Sequence, residues 1–339
     1  MADRSGGATG RAGGDAVGLE DVRQAAATLA GTAHRTPVLT STRLDRQVGC
    51  RLFLKAENLQ RAGSFKFRGA FNRLAALSAD ERQRGAVAFS SGNHGQALAL
   101  AGQLLGVPVS VFMASDSPRV KQTAAVGYGA TVQFYGPGSD RHALAAQAAL
   151  QRDAVFVHPY EDPAVIAGQG TAALELLEEV SDLDTLVVPI GGGGLISGCA
   201  VAAKGINPAI RVVGVEPEAG NDTYLSVAAG RRIEIDLPDT LADGLRTRSP
   251  GQRTYQMMTR LVDEVVLVTE AEIVTAVTTL ALTAKTVTEP SGAVGVAAVL
   301  AGRVIGRRVG AILSGGNVDP AQLAWIIRSG AETQEMSQP

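Results

Sequence analysis

Short runs of apolar and β-branched residues alternate along this chain with longer stretches whose apolar positions recur every three or four residues. The runs are typical of buried strands and the stretches of amphipathic helices. In chain order the strand-like runs read GAVAFS, VPVSVFM, ATVQFY, AVFVH, DTLVVPI, IRVVGVE, EVVLVTE and VGAILS, and helical stretches separate most of them. Parallel strands need helical crossovers, so the alternation predicts an α/β fold with parallel sheets covered on both faces.

The start of the chain departs from this pattern. Residues 1–17 are rich in glycine and small polar residues and have no apolar period, so we expect a disordered tail there. The full length of 339 residues suggests about two domains, enough for a cleft between them.

Composition and charge exclude several classes of protein. Hydrophobic residues make up 45% and charged residues 19%, which is typical of a folded globular chain. The 31 basic residues are balanced by 33 acidic ones, so no excess of positive charge indicates a nucleic-acid partner. No apolar run reaches the roughly 18 residues of a membrane helix, and the first residues lack the apolar core of a secretory signal. Two scattered cysteines fit a reducing compartment, and we expect a cytoplasmic protein.

Four consecutive glycines, Gly191–Gly194, follow the strand-like DTLVVPI and precede the helical LISGCAVAAKG. Without Cβ atoms their N–H groups can approach an anion, and a helix N-terminus adds partial positive charge, so the loop predicts a phosphate site. A tight turn is the alternative. The dinucleotide pattern G-x-G-x-x-G fails at Ile196 and Ser197, yet Glu216 ends the next strand, where a ribose-binding acid would lie. A nicotinamide-dependent oxidoreductase therefore remains a second hypothesis.

A second glycine-bounded segment, Gly63–Ala70, contains a candidate nucleophile. Ser64 can cap a helix, which would place Lys66 in the first turn. The helix dipole and burial beside Phe65 and Phe67 would both lower the pKa of that amine. A neutral lysine amine forms Schiff bases with carbonyl compounds, so Lys66 is a candidate for covalent catalysis. An ordinary exposed lysine is the alternative.

Two further glycine turns follow strand-like runs. Ser90–Gly95 offers small hydroxyls, an amide and free N–H groups at a helix start, which suit the carboxylate of an amino acid. Asn93 is equally a candidate N-cap. In Ser314–Asn317 a serine at a strand tip beside glycines would allow the close approach of a flat ring, and a plain turn explains the pattern almost as well.

Taken in order, the motifs resemble the pyridoxal-phosphate enzymes of the tryptophan-synthase β type, and within them the serine racemase and threonine (serine) dehydratase family. The resemblance extends over about residues 19–328, in the motifs KAENLQRAGSFKFRGA, SSGNHGQA, PAVIAGQGTAALE, VVPIGGGGLISG, EPSGAVGVAA and LSGGNVD. It implies two open, twisted parallel-sheet domains (fold type II) with the cofactor in the cleft between them, and a homodimer. The large domain would comprise residues 18–75 and 162–328, the small domain residues 76–161, and residues 329–339 would form a tail.

The resemblance assigns roles around a bound pyridoxal phosphate. Lys66 would form the Schiff base and move the Cα proton, Phe65 would pack on the ring, and Asn93 would bind the 3'-oxygen. Ser314 would face the ring nitrogen. Because a hydroxyl does not force that nitrogen to be protonated, the ring is a weaker electron sink, which favours β-elimination. The phosphate would be held by Gly191, Gly192, Gly193, Gly194 and the Leu195 amide.

The substrate would lie on the turn that follows GAVAFS. The motif reads SSGNHGQA, as in serine racemases and hydroxyaspartate dehydratases, whereas biosynthetic threonine dehydratases commonly read SAGNHAQG. Ser91 would face Lys66 across the substrate and exchange a proton on the opposite face, as inversion of Cα requires; a carboxylate contact is the alternative. The residues that the resemblance places on the substrate are Ser64, Ser91, Gly92, Asn93, His94 and Arg141.

An acidic segment, VEPEAGND, matches the divalent-cation site of racemase-like chains. The resemblance implies that Glu216, the Gly220 carbonyl and Asp222 bind Mg, Mn or Ca in a structural or activating role. An exposed acidic turn is the alternative.

The resemblance implies a lyase that deaminates L-threonine or L-serine to a 2-oxo acid and ammonia by β-elimination of the hydroxyl. Serine racemisation and dehydration of 3-hydroxyaspartate are alternatives in the same class, favoured by Ser91 and the cation motif. Two hypotheses from other classes remain: the nicotinamide oxidoreductase, and a non-catalytic amino-acid sensor that kept the fold. The intact Lys66 and Ser314 argue against lost chemistry.

Overall fold

A computed structural model of the protein describes residues 17–90, 92–115, 117, 119–136 and 138–336. The disordered tail expected at the start of the chain therefore lies outside the described residues, except for Val17, which packs against the core. Among the described residues, no helix combines the length and the hydrophobicity that crossing a lipid bilayer requires.

In the part of the chain that the structure describes, ten strands form two sheets. The first sheet has six strands in the order β1-β2-β10-β7-β8-β9, and the second has four in the order β5-β4-β3-β6. All neighbouring strands are parallel except the short edge strand β1, which is antiparallel to β2. The strands are β1 (Val38–Leu39), β2 (Arg51–Lys55), β3 (Ala86–Phe89), β4 (Val109–Ala114), β5 (Thr131–Tyr135), β6 (Val155–Phe156), β7 (Thr185–Pro189), β8 (Arg211–Pro217), β9 (Glu264–Val268) and β10 (Arg308–Ile312).

Helices connect these strands and cover both faces of each sheet. They are α1 (Leu19–Leu29), α2 (Thr42–Val48), α3 (Lys66–Ala75), α4 (Ala79–Arg84), α5 (Asn93–Leu105), α6 (Arg119–Gly127), α7 (Arg141–Gln151), α8 (Pro163–Glu179), α9 (Gly194–Ile206), α10 (Asp222–Ala229), α11 (Gln252–Leu261), α12 (Glu270–Thr279), α13 (Pro290–Leu300) and α14 (Pro320–Met336). The predicted α/β class, with two parallel-sheet domains, is confirmed.

The core explains why the strands read as continuous apolar runs. In β7, Leu186 and Val188 point to one side of the six-stranded sheet and Val187 points to the other, and each side packs against its own layer of helices. In β3 of the four-stranded sheet, Ala88 and Phe89 likewise point to opposite sides and pack in different core clusters. A strand with helices on both faces has no solvent-facing side, so it lacks the polar alternation of a half-exposed strand.

Two helices of the first sheet approach each other unusually closely. A Cβ at Gly170 on α8 would lie 2.5 Å from the Gly198 carbonyl oxygen on α9, and a Cβ at Gly198 would lie 2.2 Å from the Ile166 carbonyl oxygen. Only glycine permits such backbone contact. Gly170 and Gly198 therefore allow α8 to pack directly against α9 and position the glycine loop at the start of α9.

The end of the fold differs from the prediction. The tail expected from residue 329 is helical as far as Met336, because α14 continues through helix-forming Ala, Glu and Gln without a proline. Residues 337–339 lie outside the described part of the chain. The domain boundaries themselves stay a prediction; the strands of the four-stranded sheet all fall between Ala86 and Phe156.

Candidate active site

The glycine turns singled out in the sequence follow the carboxyl ends of three strands. Gly191 follows β7, Ser314 follows β10, and Gly92 follows β3. In open parallel sheets, ligands bind beyond the carboxyl ends of the strands. The turns come from both sheets, and the contacts described below connect them around Lys66.

Lys66 is the first residue of α3, as the sequence predicted. Its Nζ donates a hydrogen bond to the Pro159 carbonyl oxygen at 2.9 Å and lies 5.0 Å from the centre of the Phe65 ring. No ion pair joins this amine to a carboxylate in the described part of the chain, and burial lowers its pKa to about 8. An amine with this pKa is partly neutral near pH 7.5 and is therefore available as a nucleophile and a base.

The lowered pKa of Lys66 predicts how fast the cofactor-free protein takes up an aldehyde. Only the neutral amine attacks a carbonyl carbon, so the rate of Schiff-base formation with pyridoxal phosphate should rise by about tenfold per pH unit below pH 8 and level off above it. Stopped-flow absorbance of the cofactor-free protein between pH 6 and pH 10 measures this profile. A rate that still rises steeply above pH 9.5 would show that the amine has an ordinary lysine pKa.

Ser64 and Phe65 are joined directly to the segment that follows β10. The Phe65 N–H donates to the Ser314 carbonyl oxygen at 3.1 Å, and Ser64 pairs with Gly315 in an isolated antiparallel bridge. The prediction that Ser64 caps α3 is wrong. Phe65 is the N-cap, and the bridge holds Ser64 in extended backbone, where its hydroxyl has no partner among the described residues.

Ser314 is buried at the end of β10, with 4% of its surface exposed. Its Oγ donates to the Ser291 carbonyl oxygen at 3.4 Å. This weak hydrogen bond leaves the hydroxyl free to turn toward a ring nitrogen, the partner that the sequence predicted.

The glycine loop has the geometry of an anion site. Gly193 is the N-cap of α9 with φ +89°, a left-handed conformation that favours glycine. A Cβ at Gly192 would lie 2.3 Å from the ring of Tyr160, and one at Gly193 would lie 2.8 Å from the side chain of Thr254. The loop therefore presents backbone N–H groups without side chains at a helix N-terminus, which is what a phosphate site requires. Leu195 is buried in the first turn of this helix.

The segment after β6 connects Lys66 to the glycine loop. The Pro159 carbonyl accepts from Lys66 and also from Gln169 Nε2, at 3.4 Å. A Cβ at Gly194 would lie 2.8 Å from both Gln169 Oε1 and Tyr160 Cβ. No role was predicted for these residues, although Gln169 belongs to the PAVIAGQGTAALE motif.

The turn before α5 is held by the other sheet. Asn93 is the first helical residue and Gly92 the N-cap, so Asn93 does not cap the helix. Its Nδ2 donates to Glu289 Oε1, and its Oδ1 accepts from Asn317 Nδ2 at 2.8 Å. Glu289 and Asn317 were not predicted, although both lie in quoted motifs. Ser91 lies outside the described residues, so its predicted catalytic role stays a prediction.

His94 is buried beside this turn. Its Nε2 lies 3.3 Å from the Val157 carbonyl oxygen, and its Nδ1 has no partner among the described residues. Burial, with the Lys66 charge in addition, lowers the pKa of His94 to about 3. The imidazole is therefore neutral and offers hydrogen bonds without a charge.

Arg141 lies at the start of α7. Its guanidinium carbon is 5.3 Å from the centre of the Phe89 ring. Burial raises the pKa of Tyr160, and the Arg141 charge opposes that rise. Arg141 therefore acts on the residue that lines the glycine loop, while its predicted contact with substrate stays a prediction.

The predicted cation residues are buried and close together. Glu216 accepts from the N–H groups of Thr223 at 3.1 Å and Tyr224 at 2.9 Å, while Asp222 accepts from Thr247 Oγ1 at 3.2 Å. Burial raises the pKa of Glu216 to about 8 and that of Asp222 to about 7, and the mutual repulsion of the pair contributes at Glu216. The alternative of an exposed acidic turn is therefore wrong.

The donor set at this place fits a hard cation. It comprises two carboxylates and the buried Gly220, which ends the 3-10 turn Glu218–Gly220 between them. No group of three or more His, Cys, Asp or Glu side chains suited to a metal occurs in the described part of the chain, so the backbone oxygen of the prediction is needed. Oxygen donors of this kind suit Mg, Mn or Ca.

Several buried polar atoms around the cleft have no hydrogen-bond partner among the described residues. Such atoms are costly unless something else satisfies them, so they indicate a polar group that belongs in the cleft. The residues that line the cleft therefore fit pyridoxal phosphate, which brings a phosphate, a phenolic oxygen, a ring nitrogen and an aldehyde. The atoms that can donate to such groups are Ser64 Oγ, His94 Nδ1 and Ser197 Oγ.

A surface cavity of about 600 Å³ lies elsewhere, beside α2 and the amino ends of β2 and β10. Its lining includes Asp45, Arg46, Arg51 and Arg307. The amino ends of parallel strands are at the opposite edge of the sheet from Ser314 and the glycine loop. This cavity is therefore separate from the candidate site, which is identified by its chemistry and not by its open volume.

Comparisons with known proteins agree with this geometry. The sequence profile of a family described as "Pyridoxal-phosphate dependent enzyme" matches residues 29–315. The chain is 44% identical over 315 residues to L-threo-3-hydroxyaspartate ammonia-lyase of Saccharomyces cerevisiae, covering 92% of this chain and 96% of that protein. It is 45% identical over 316 residues to L-threonine ammonia-lyase of Thermotoga maritima, covering 93% and 79%. The structure of maize serine racemase superposes with a TM-score of 0.88 at 39% identity, covering 94% and 99%.

Proposed function

Because this chain belongs to the family of pyridoxal-phosphate-dependent enzymes, we propose that it deaminates a β-hydroxy amino acid, L-threonine or L-serine, to a 2-oxo acid and ammonia. The observation that supports this most directly is the Lys66 amine, which is held by a carbonyl and not by a carboxylate. The β-hydroxyl leaves as water, and one water is consumed when the carbon–nitrogen bond is hydrolysed. The net products are the 2-oxo acid and ammonia.

Lys66 is the residue that moves protons in this proposal. When bound, pyridoxal phosphate withdraws electrons from the Cα of an attached amino acid and makes the Cα proton acidic. Lys66 Nζ, with its pKa lowered to about 8, accepts that proton. The Ser314 hydroxyl binds the ring nitrogen without protonating it, which favours prompt loss of the β-hydroxyl.

The turn before α5 binds the substrate carboxylate in this proposal. Gly92 and the first N–H groups of α5 point out of a helix N-terminus, which attracts an anion. His94, neutral and with one ring nitrogen free of partners among the described residues, adds a hydrogen bond. Asn93, held by Glu289 and Asn317, is fixed to bind the 3'-oxygen of the cofactor.

A second candidate substrate is 3-hydroxyaspartate, and a second candidate reaction is serine racemisation. The extra carboxylate of 3-hydroxyaspartate needs a cation beside the bound substrate, and Arg141 forms no ion pair with an acidic residue among those that the structure describes. Racemisation needs a proton donor opposite Lys66, which the sequence assigns to Ser91. Both candidates agree with the names of relatives of high identity.

Substrate profiling tests the proposal. Purified protein loaded with pyridoxal phosphate is given L-threonine, L-serine, D-serine or L-threo-3-hydroxyaspartate, and oxo acid and ammonia are measured with chiral analysis of the remaining serine. Oxo acid and ammonia in equal amounts from threonine or serine support the proposal. Turnover of 3-hydroxyaspartate alone would show that this compound, and not threonine or serine, is the substrate. Formation of D-serine without oxo acid would show that the reaction is racemisation. NAD-dependent absorbance changes without oxo acid would show that the protein is an oxidoreductase.

We propose in addition that Glu216, Gly220 and Asp222 bind Mg, Mn or Ca and stabilise the fold. A cation at about one hundred times its Kd should raise the Tm of the protein by about 4 °C, because it binds the native state alone. The variant Asp222→Asn should lose this rise. Glu218→Gln, which removes an exposed carboxylate from the same turn, is the matched control and should keep it. Differential scanning calorimetry measures the shift; an equal rise in Asp222→Asn would place the cation elsewhere.

The assembly and the compartment are part of the proposal. We propose a cytoplasmic homodimer that acts on a free amino acid and binds neither nucleic acid nor membrane. The free thiols Cys50 and Cys199 agree with a reducing compartment, and the balanced charge offers no basic surface for nucleic acid. Light scattering coupled to gel filtration measures the assembly, and a monomer would contradict it.

A further inference from the structure

A lysine that the reaction does not use is buried between the two sheets. Lys121 lies on α6, between β4 and β5, and only 5% of it is exposed. Its Nζ pairs with Asp243 and lies 3.9 Å from a Glu289 carboxylate oxygen. Asp243 follows β8, and Glu289 precedes α13, which packs against the six-stranded sheet. We call the three side chains the Lys121 bridge; they link a helix of one sheet to two segments of the other.

The Lys121 bridge lies directly against the turn proposed to bind the substrate carboxylate. A Cβ at Gly92 would lie 3.6 Å from Lys121 Nζ and 3.7 Å from Lys121 Cδ, so the lysine side chain supports this turn. Glu289 Oε1 also accepts from Asn93 Nδ2. Glu289 therefore receives one hydrogen-bond donor from α5 and faces one charge from α6.

The charges show what the lysine does there. One ammonium faces two carboxylates, and Glu289 Oε2 has no hydrogen-bond partner among the described residues. Burial raises the pKa of Glu289 to about 7, the Lys121 charge opposes this rise, and Asp243 adds to it. Without the ammonium, Glu289 and Asp243 would repel each other with nothing between them. Both carboxylates belong to the six-stranded-sheet part of the molecule and Lys121 alone belongs to the other, so removing Lys121 should detach α6 from that part at this point.

We propose that Lys121 is a positioning residue that holds the four-stranded sheet against the six-stranded sheet and so fixes the Gly92–His94 turn over the cleft. Lys66, the glycine loop and Ser314 do not contact the bridge through any described hydrogen bond or ion pair. Loss of the bridge should therefore weaken substrate binding most. It should leave the covalent attachment of the cofactor at Lys66 in place, because the bridge reaches the cofactor residues only through the hydrogen bond from Asn93 to Glu289. The kinetic part of this inference rests on the proposed function; the structural part does not.

The test compares full-length variants loaded with pyridoxal phosphate. Lys121→Met removes the ammonium, Lys121→Arg keeps a cation, and Asp243→Asn weakens the bridge from its exposed end. Lys204→Met is the matched control, because Lys204 pairs with Asp263 at 2.7 Å within the six-stranded-sheet part of the molecule. Hydrogen exchange followed by mass spectrometry reports on the bridge without turnover, and steady-state kinetics adds KM and kcat.

In Lys121→Met and Asp243→Asn, we expect faster exchange in peptides that cover residues 92–94, 119–127 and 243–245, with no change in α8 and α9. KM should rise by about tenfold or more with a kcat change of about threefold or less, and Lys121→Arg should recover most of the loss. The yellow absorption of the bound cofactor should not change.

If the exchange rates and the KM of Lys121→Met equal those of the Lys204→Met control, the inference is wrong. Faster exchange throughout Lys121→Met, with Asp243→Asn unchanged, would also overturn it, because that pattern shows general destabilisation and not a local link. If wild-type protein deaminates none of the amino acids, the proposed function fails, and the exchange pattern still decides on the bridge.

Discussion

Replacing Lys66 with alanine should abolish the yellow absorption of the bound cofactor and lower the rate of oxo-acid formation by about a thousandfold or more. The side chain has two roles in the proposal, covalent attachment of the cofactor and movement of the Cα proton, and alanine removes both. The structure adds that the amine donates to the Pro159 carbonyl, its one hydrogen-bond acceptor among the described residues, and has a pKa of about 8. The spectrum of purified protein after dialysis against pyridoxal phosphate measures the first effect, and a coupled oxo-acid assay the second.

Lys204→Ala is the control for this experiment. Lys204 lies on α9 and pairs with Asp263, so its loss changes an ion pair without touching the cleft. It should keep the absorption and the turnover. A Lys66→Ala protein that is folded, yellow and active would contradict the assignment of Lys66 and would reopen the oxidoreductase and sensor hypotheses.

Replacing Gly193 with alanine should weaken the binding of pyridoxal phosphate by about a hundredfold, which corresponds to about 2.7 kcal/mol. Gly193 has φ +89°, and an added Cβ would lie 2.8 Å from the Thr254 side chain and 2.9 Å from Met258 Cε. Strain of about 1–3 kcal/mol at the N-cap of α9 would turn the N–H groups of the loop away from the phosphate. Titration of the cofactor-free protein, followed by absorbance, measures the Kd.

Gly127→Ala separates this local effect from the general effect of losing a glycine. Gly127 ends α6, its φ is not in the left-handed region, and no atom lies within 4 Å of an added Cβ. Its Kd should equal that of the wild type. If Gly193→Ala binds the cofactor normally, the phosphate is not held by this loop, whatever its effect on the Tm. Calorimetry of both variants without cofactor reports the strain separately.

Much of the fold could be predicted from the residues alone. Leu186, Val187 and Val188 read as one apolar run because β7 has helices on both faces, and that run together with the helical stretches after it predicts a parallel sheet. Gly193 at the start of α9 was also predictable, because a glycine after a strand and before a helical period is a local signal. Lys66 does lie in the first turn of a helix as predicted, although the prediction rested on Ser64 as the cap.

The errors show where local signals fail. Ser64 has a residue type and a position that favour an N-cap, but it pairs with Gly315, far along the chain, its hydroxyl makes no capping hydrogen bond among the described residues, and the cap position falls to Phe65. The tail expected from residue 329 continues α14, because propensity at a chain end does not show where a helix stops. Glu289 and Asn317 lie in the motifs EPSGAVGVAA and LSGGNVD, yet nothing near them in the chain indicates that both hold Asn93.

The sequence by itself determined the α/β class, the order of the strands along the chain, the glycine loop and the candidate lysine, because each of these depends on a short-range period or on the backbone freedom of glycine. Only the tertiary structure decided that the Pro159 carbonyl is the acceptor for Lys66, that Glu216 and Asp222 are buried together, and that Lys121 bridges the sheets. The physical reason is that hydrogen bonds and charge pairs between distant segments depend on how the sheets and helices pack. Packing is a property of the whole chain, and no local pattern around one of these residues encodes its partner.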